Sequence, residues 1–532
     1  MNDRYEYIVL GGGPAGIQLG YYLEKHNRNY AVLERGNRAG TFFETFPRHR
    51  QLISINKVHT GSDDAEFNMR HDWNSLLTDD YSLLFKQYDD QFFPHADSLL
   101  KYLNDFVAKF HINLIGNISV TKIFKESDGF VLIDDTGRHF RCAYLVVATG
   151  LSKPVKPDIE GIEFAECYSK MSLDRAEFNN ARVLIIGKGN SAFETADHLI
   201  SSASLIHLAS PDSITMAWKS HYVGHLRAVN NNILDTYQLK SQNAILDADV
   251  HGIRKEGDKY VVGFRYAHAE NEVEEIVYDR ILCCAGFKFD DELFDSTVMP
   301  ELTKNGKYPA INWEFESVNQ PNMYFAGTIT HSLDYRKTTS GFIHGFRYNV
   351  RFLADLLNAK NHGATWRSTS IQASPSVLAE MMLGRVNRSA GLWQQPGFIV
   401  DVIGVNDEGA ELFKEMPVGF GLNFAGNRFD EYFTVSLEYG DPIVGDPFKV
   451  ERVHRQNIME SHRSKFLHPI VRHYRLGSLV AEHNVIEDLE AIWLEEEHIT
   501  PLIKFLTNSL QPRQGAGCGN KVSVALAVES VA

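Results

Sequence analysis

Cysteine is scarce in this chain. Five residues in 532 (Cys142, Cys167, Cys283, Cys284 and Cys518) are an odd, scattered set, which excludes a disulfide framework and predicts a reducing, cytoplasmic setting. Long apolar runs are also missing. Nothing approaches the ~20 residues that span a bilayer, so no membrane segment is expected. The N-terminus passes almost directly into a strand, with no basic region and cleavage site ahead of it, so no secretory leader is expected. Positive charge is short as well. The net charge of −15 would repel phosphates and excludes a nucleic-acid or anionic-membrane surface. Neither H-E-x-x-H, C-x-x-C nor G-x-S-x-G occurs, so no metal site and no serine nucleophile elbow is expected.

What is present is a soluble balance of 44% hydrophobic and 23% charged residues, enough for large cores. The apolar run Tyr5–Leu10 reads as a strand, followed by a glycine turn, a helix and a second strand, Tyr30–Glu34. The turn is Gly11-Gly12-Gly13-Pro14-Ala15-Gly16. In this context Gly11 permits the tight turn, Gly13 lets backbone approach a pyrophosphate, and Gly16 lets the helix pack against the strand. The helix N-terminus offers free N–H groups to phosphate, and Glu34 is placed to accept ribose hydroxyls. A second strand–turn–helix begins at Arg182, with Gly187-Lys188-Gly189-Asn190-Ser191-Ala192 as its turn. Its following strand ends in HLAS without an acid, which favours a 2′-phosphate and hence NADPH. Lys188, Lys219 and Arg227 are the candidate phosphate partners.

Two dinucleotide sites imply electron transfer between nicotinamide and flavin. A disulfide reductase would need a cysteine pair beside the flavin. Cys283 and Cys284 are adjacent in a strand, so their side chains point to opposite faces and read as core. That directs the electrons to oxygen or to a partner protein. The expected fold is α/β: two Rossmann-like units, the NAD(P)H domain (161–290) inserted in an FAD domain (1–160 and 291–364), then a C-terminal α+β region (365–510) and a loose tail (511–532).

The two turns, with Ala148-Thr149-Gly150 and the FAG ending at Gly327, resemble those of two-dinucleotide-binding flavoproteins, and within them the flavin-containing (class B) monooxygenases. The segments 47–62, 187–198, 221–241, 340–349 and 466–474 are similar to the endoplasmic-reticulum FAD-dependent oxidoreductase-domain proteins and their bacterial relatives. One departure is marked: Tyr168 stands about where the family's F-x-G-x-x-x-H motif has its His. The resemblance implies FAD held by Gly11, Gly13, Pro14, Ala15, Gly16, Glu34, Arg35, Phe43, Ala148, Thr149, Gly150 and Gly327. It places Asn56, in SINK, over the flavin and against NADP. Lys57, Lys337 or Arg336 are candidates to act near the isoalloxazine. The implied reaction is a single-component, NADPH- and O2-dependent monooxygenation of a small aromatic substrate through a C4a-hydroperoxyflavin. The alternatives are a single-component flavin-dependent halogenase acting with halide on a phenol such as a hydroxybenzoate, and a flavoprotein redox partner without a small substrate. The C-terminal region is expected to serve as a lid, with Trp393, Phe398, Phe420, Phe424 and Phe433 as pocket aromatics.

Overall fold

A computed structural model describes residues 2–126, 129–238, 243–443, 445–446 and 448–510. The expected tail, 511–532, lies outside the described residues. The first unit consists of β1 (Asn2–Leu10), α1 (Pro14–Lys25) and β2 (Tyr30–Leu33). Tyr7 to Leu10 and all of β2 are buried. Strands covered on both faces of a parallel sheet read as continuous apolar runs, which is why YIVL and YAVL do not alternate. β1 pairs in parallel with β2 and with β3 (His139–Val147). The C-terminal half of β3 also pairs in parallel with Met323–Phe325. The N-terminal half of β3 takes the antiparallel partner Gly129–Asp134 instead.

The second sheet is all-parallel. Its β4 (Arg182–Ile186), α2 (Asn190–Leu199) and β5 (Leu205–Ser210) repeat the βαβ pattern. It is completed by β6 (Asn243–Asp247), β7 (Arg280–Cys283) and the short Glu166–Cys167 strand. All of these strands fall between β3 and Met323–Phe325 in the chain, so the second sheet interrupts the first. An antiparallel three-stranded meander lies between β6 and β7. The helix Ala96–Lys109 buries Leu99, Tyr102, Leu103 and Phe106 as its periodicity predicts. Its N-cap is His95, whose ring accepts the Asp97 N–H, and Asp97 falls in the first turn.

A long helix, α3 (Ile343–His362), leads out of the flavin half and packs against α1. Beyond it, a six-stranded antiparallel sheet runs from Thr369–Ile371 to Ser478–Asn484 and is backed by α4 (Pro375–Arg388). Phe398 and Phe433 are core residues here, and Phe420 and Phe424 pack with Trp366. No helix among the described residues is long and apolar enough to cross a membrane.

Candidate active site

A cavity of about 890 Å³ opens at the carboxyl ends of β1, β2 and β3 and reaches the start of α2. Ligands of open α/β sheets bind at such strand ends. Gly11 has φ +113°, and a Cβ there would lie 2.6 Å from the Ala148 carbonyl oxygen. At Gly16 a Cβ would sit 1.9 Å from the Gly11 oxygen, so α1 can close on the strand only without a side chain. Gly13 lines the cavity with nothing within 4 Å of its Cβ position, leaving its backbone open to a ligand. Pro14, Ala15, Arg35, Phe43, Ala148, Thr149, Gly150 and Gly327 also line it. The Thr149 hydroxyl is buried without a partner. The buried Glu34 carboxylate accepts the Gly12 N–H at 2.7 Å, the Gly36 N–H at 2.9 Å and the Thr41 hydroxyl at 2.5 Å. A carboxylate has about four acceptor positions, so one stays open to a ribose hydroxyl. An open glycine cradle, an orphaned hydroxyl and a fixed acid fit the dinucleotide half of FAD.

The second turn has the same construction. Gly187 has φ +125° and lies against the Cys284 carbonyl, while Gly189 is open. Asn190 and Ser191 reach the cavity wall, whereas Gly187, Lys188 and Gly189 do not. The Asn190 amide donates to the His225 carbonyl at 2.9 Å, and its oxygen accepts the Arg227 N–H at 3.0 Å. The phosphate candidates need correction. The Lys188 ammonium is buried and ion-paired with Asp247, the acid that ends β6. Lys219 is exposed on a short helix away from the cavity wall. Arg227 lies over the Trp73 ring at 5.1 Å, drawn to the flavin half by a cation–π contact.

The expected catalytic residues also lie elsewhere. Asn56 is buried off the cavity wall, and its amide donates to the Asp89 carbonyl at 2.7 Å. The strand-like segment carrying it turns Gln51–Ser54 to the cavity and Asn56 to the Asp89–Phe92 backbone. Lys57 and Lys337 are exposed and do not line the cavity. Among the described residues none after Phe346 lines it either, so Trp393, Phe398, Phe420, Phe424 and Phe433 are not its pocket aromatics. The C-terminal region instead touches the loop after β5, through Tyr439 stacked on His221 and Phe448 beside Trp218.

Three features escaped the sequence. Lys307 lines the cavity, is held below the ordinary lysine range by burial and by Arg336, and has no carboxylate partner among the described residues. His344, at the start of α3, stacks on Trp73 at 4.0 Å with both ring nitrogens unpartnered. Burial and the Arg347 and Arg227 charges hold it neutral. Tyr168, which the sequence does mark, shares a hydrogen bond on the cavity wall with Glu194, which it does not. The spacing could have flagged Glu194, since it lies one helical turn beyond Asn190. Nothing local marks the other two. Among the described residues, no cysteine lines the cavity. Cys283 instead faces Cys167 across parallel strands, and Cys284 is buried.

The family described as pyridine nucleotide-disulphide oxidoreductase matches residues 8–327, the span of both turns. The chain belongs to this family. FAD and a nicotinamide dinucleotide are therefore its cofactors, and it is a flavoprotein oxidoreductase. Among family relatives, the chain is 36% identical over 561 residues to the FAD-dependent oxidoreductase domain-containing protein 2 of Mus musculus, with 95% of this chain and 84% of that protein covered. The Danio rerio protein of the same name is 34% identical over 583 residues, with 95% and 83% covered. Two solved structures share the fold. Bacillithiol disulfide reductase Bdr from Staphylococcus aureus gives a TM-score of 0.52 at 18% identity, covering 68% of this chain and 100% of that one. A doubly substituted flavin monooxygenase from Stenotrophomonas maltophilia gives 0.50 at 17% identity, covering 68% and 99%.

Proposed function

We propose that the chain is a single-component, NADPH-dependent FAD monooxygenase acting on a small aromatic substrate. The observation that carries this reading is the cavity wall. It runs from the first glycine turn to the second, it is aromatic (Phe43, Phe46, Trp73, Phe287, Phe342, Phe346), and among the described residues it has no cysteine to take electrons. When bound, the flavin accepts hydride from reduced nicotinamide and passes the electrons on to oxygen. The chain's own residues hold and shield that exchange. Gly11–Ala15 and Glu34 bind the dinucleotide half. Phe342, Ile343 and His344 bring the N-terminus of α3 to the cavity, with no side chain capping it. Its positive end would favour negative charge on a cofactor held there. The apolar wall excludes water, which would otherwise divert reduced oxygen to hydrogen peroxide.

The test is anaerobic reduction by NADPH, then mixing with 18O2 and a panel of phenols, with products weighed by mass spectrometry. One 18O atom in the product supports the reading. Failure of NADPH to reduce the flavin overturns it. Halide oxidation is a second reading, favoured by Lys307, a desolvated cation on the wall with no carboxylate to neutralise it. Bromide in the same assay, giving a brominated phenol without 18O, would select it.

A further inference from the structure

We propose that Glu194, oriented by Tyr168, delivers the proton consumed when oxygen is reduced in the cavity. The inference rests on the oxygen-linked reading above. Monooxygenation turns reduced nicotinamide, one proton, O2 and substrate into oxidised nicotinamide, oxygenated substrate and water. Two electrons leave the nicotinamide as hydride. One oxygen atom goes to the substrate and the other leaves as water, which needs the extra proton. Water diverts reduced oxygen to hydrogen peroxide, so a fixed side chain serves this reaction better than solvent as the source of that proton.

Glu194 has the geometry of such a source. It sits on α2 one turn after Asn190, and its side chain lines the cavity with Ser191, Tyr168, Phe46 and Phe287. Oε1 accepts the Tyr168 hydroxyl hydrogen bond, and among the described residues Oε2 makes none. The Tyr168 hydroxyl is fixed in turn by the Arg48 main-chain N–H at 3.1 Å, and its ring stacks on Phe46 at 5.7 Å. One carboxyl oxygen is thus anchored, through Tyr168 and Arg48, across the junction of the two halves, on a residue that lines the space where the chemistry is read.

The surroundings keep the acid neutral. On its own helix the polar neighbours are Ser191 and Thr195. From the strand end comes Cys284, whose thiol is pushed up by burial. From the flavin-side loop come Arg48, whose guanidinium is turned to the Met171 carbonyl at 2.8 Å, and His49, which meets Thr195 at 3.4 Å. Burial and the neighbouring His198 hold His49 neutral, with its pKa lowered to about 3. Among the described residues no cation pairs with Glu194. Burial raises its pKa to about 7, and the Tyr168 hydrogen bond opposes that rise. A carboxyl tuned to the operating pH, within reach of the reacting space, is the pattern of a general acid. Its O–H bond breaks as the departing oxygen is protonated, and the carboxylate regains a proton from solvent through the mouth of the cavity.

The experiment uses the FAD-loaded protein. An infrared titration follows the carbonyl stretch of a neutral carboxylic acid between about pH 5 and pH 9. Asp197, raised to about 6 by burial, and the buried Asp401 absorb in both proteins, so the band is read in the wild-type-minus-Glu194→Gln difference spectrum, where it is expected to disappear around pH 7. In parallel, O2-linked NADPH oxidation should fall as pH rises through 7. In Glu194→Gln it should be slower by about 10²-fold and lose that limb. Tyr168→Phe should move both band and limb to higher pH, because it removes a bond that favours the ionised form. A purely structural tyrosine would lower the rate without moving them. Flavin content after purification shows that each variant is folded. The proposal is overturned if the difference spectrum shows no such band, if the band does not titrate, or if the variant keeps the wild-type rate and limb. If reduced enzyme gives only hydrogen peroxide, the monooxygenase reading fails alone, and the same variants still decide proton delivery, since that reaction also consumes one proton. If reduced enzyme does not react with oxygen, both fail.

Discussion

Glu34 carries three hydrogen bonds from its own turn, so its role in the first site is as much to shape the glycine loop as to meet a ribose. Each bond to a charged acceptor is worth about 1.5–3 kcal/mol. Glu34→Ala is therefore expected to purify largely without flavin, which the ratio of flavin to protein absorbance reads directly. Glu194 has a stability consequence besides its proposed chemistry. In the folded state it keeps its proton up to about pH 7, whereas unfolded it releases it near the ordinary glutamate value of 4.5. Between these values the native state binds more protons, so unfolding free energy falls as pH rises, by at most about 3 kcal/mol. Glu194→Gln should flatten this slope. It should leave the protein more stable than wild type at pH 8 and similar to it near pH 4, as followed by chemical denaturation.

At the scale of elements, α3 is the piece whose placement matters most. It brings Phe342 to His344 to the cavity, yet its position is fixed from behind by Arg347. This fully buried guanidinium donates to the carbonyls of Met69 at 2.7 Å, Asp72 at 2.9 Å and Ser75 at 2.8 Å. The same segment carries Trp73, the partner of His344. Arg347→Met leaves three buried carbonyls unpaired, and the expected loss is about 3 kcal/mol or more. The denaturation midpoint should drop, and flavin should be lost at lower denaturant than tryptophan fluorescence changes, because the wall yields before the core.

At the scale of the whole molecule, the C-terminal sheet supplies no cavity residue but braces the wall. Arg385 of α4 pairs with Asp401 at 2.6 Å and Glu415 at 2.9 Å in its own region, and with Glu66 at 2.6 Å in the flavin half. Arg388 reaches Asp64 at 2.5 Å, and the Val386 carbonyl accepts from Arg70 at 2.6 Å. These contacts hold residues 64–70, just ahead of Trp73. Removing one partner of a buried charge network costs about 3–5 kcal/mol, since the remaining charges stay buried. Arg385→Met is thus expected to expose residues 59–72 to limited proteolysis and to weaken flavin retention, with the C-terminal sheet still folded by circular dichroism.

The chain by itself determined the two dinucleotide turns, and so the class of cofactor. Gly11–Gly16 and Gly187–Ala192 were legible because strand, turn and helix are contiguous, and their backbone demands are met by neighbouring residues. Gly11 and Gly187 both adopt the positive φ that the pattern requires. The rest of the site was decided by packing. Asn56 and Lys57 fitted a local motif, but the backbone at Asp89–Phe92 claimed the asparagine, and the lysine was left in solvent. Arg227 and Lys188 read as phosphate ligands until Trp73 and Asp247, far along the chain, took them. Tyr168 with Glu194, and Trp73 with His344, meet only where the layers close on one another. Sequence specifies a contact when the partners are neighbours on one element. Where the partners come from different layers, burial and the demand that each buried polar group find a partner select them, and those forces act only once the chain has folded.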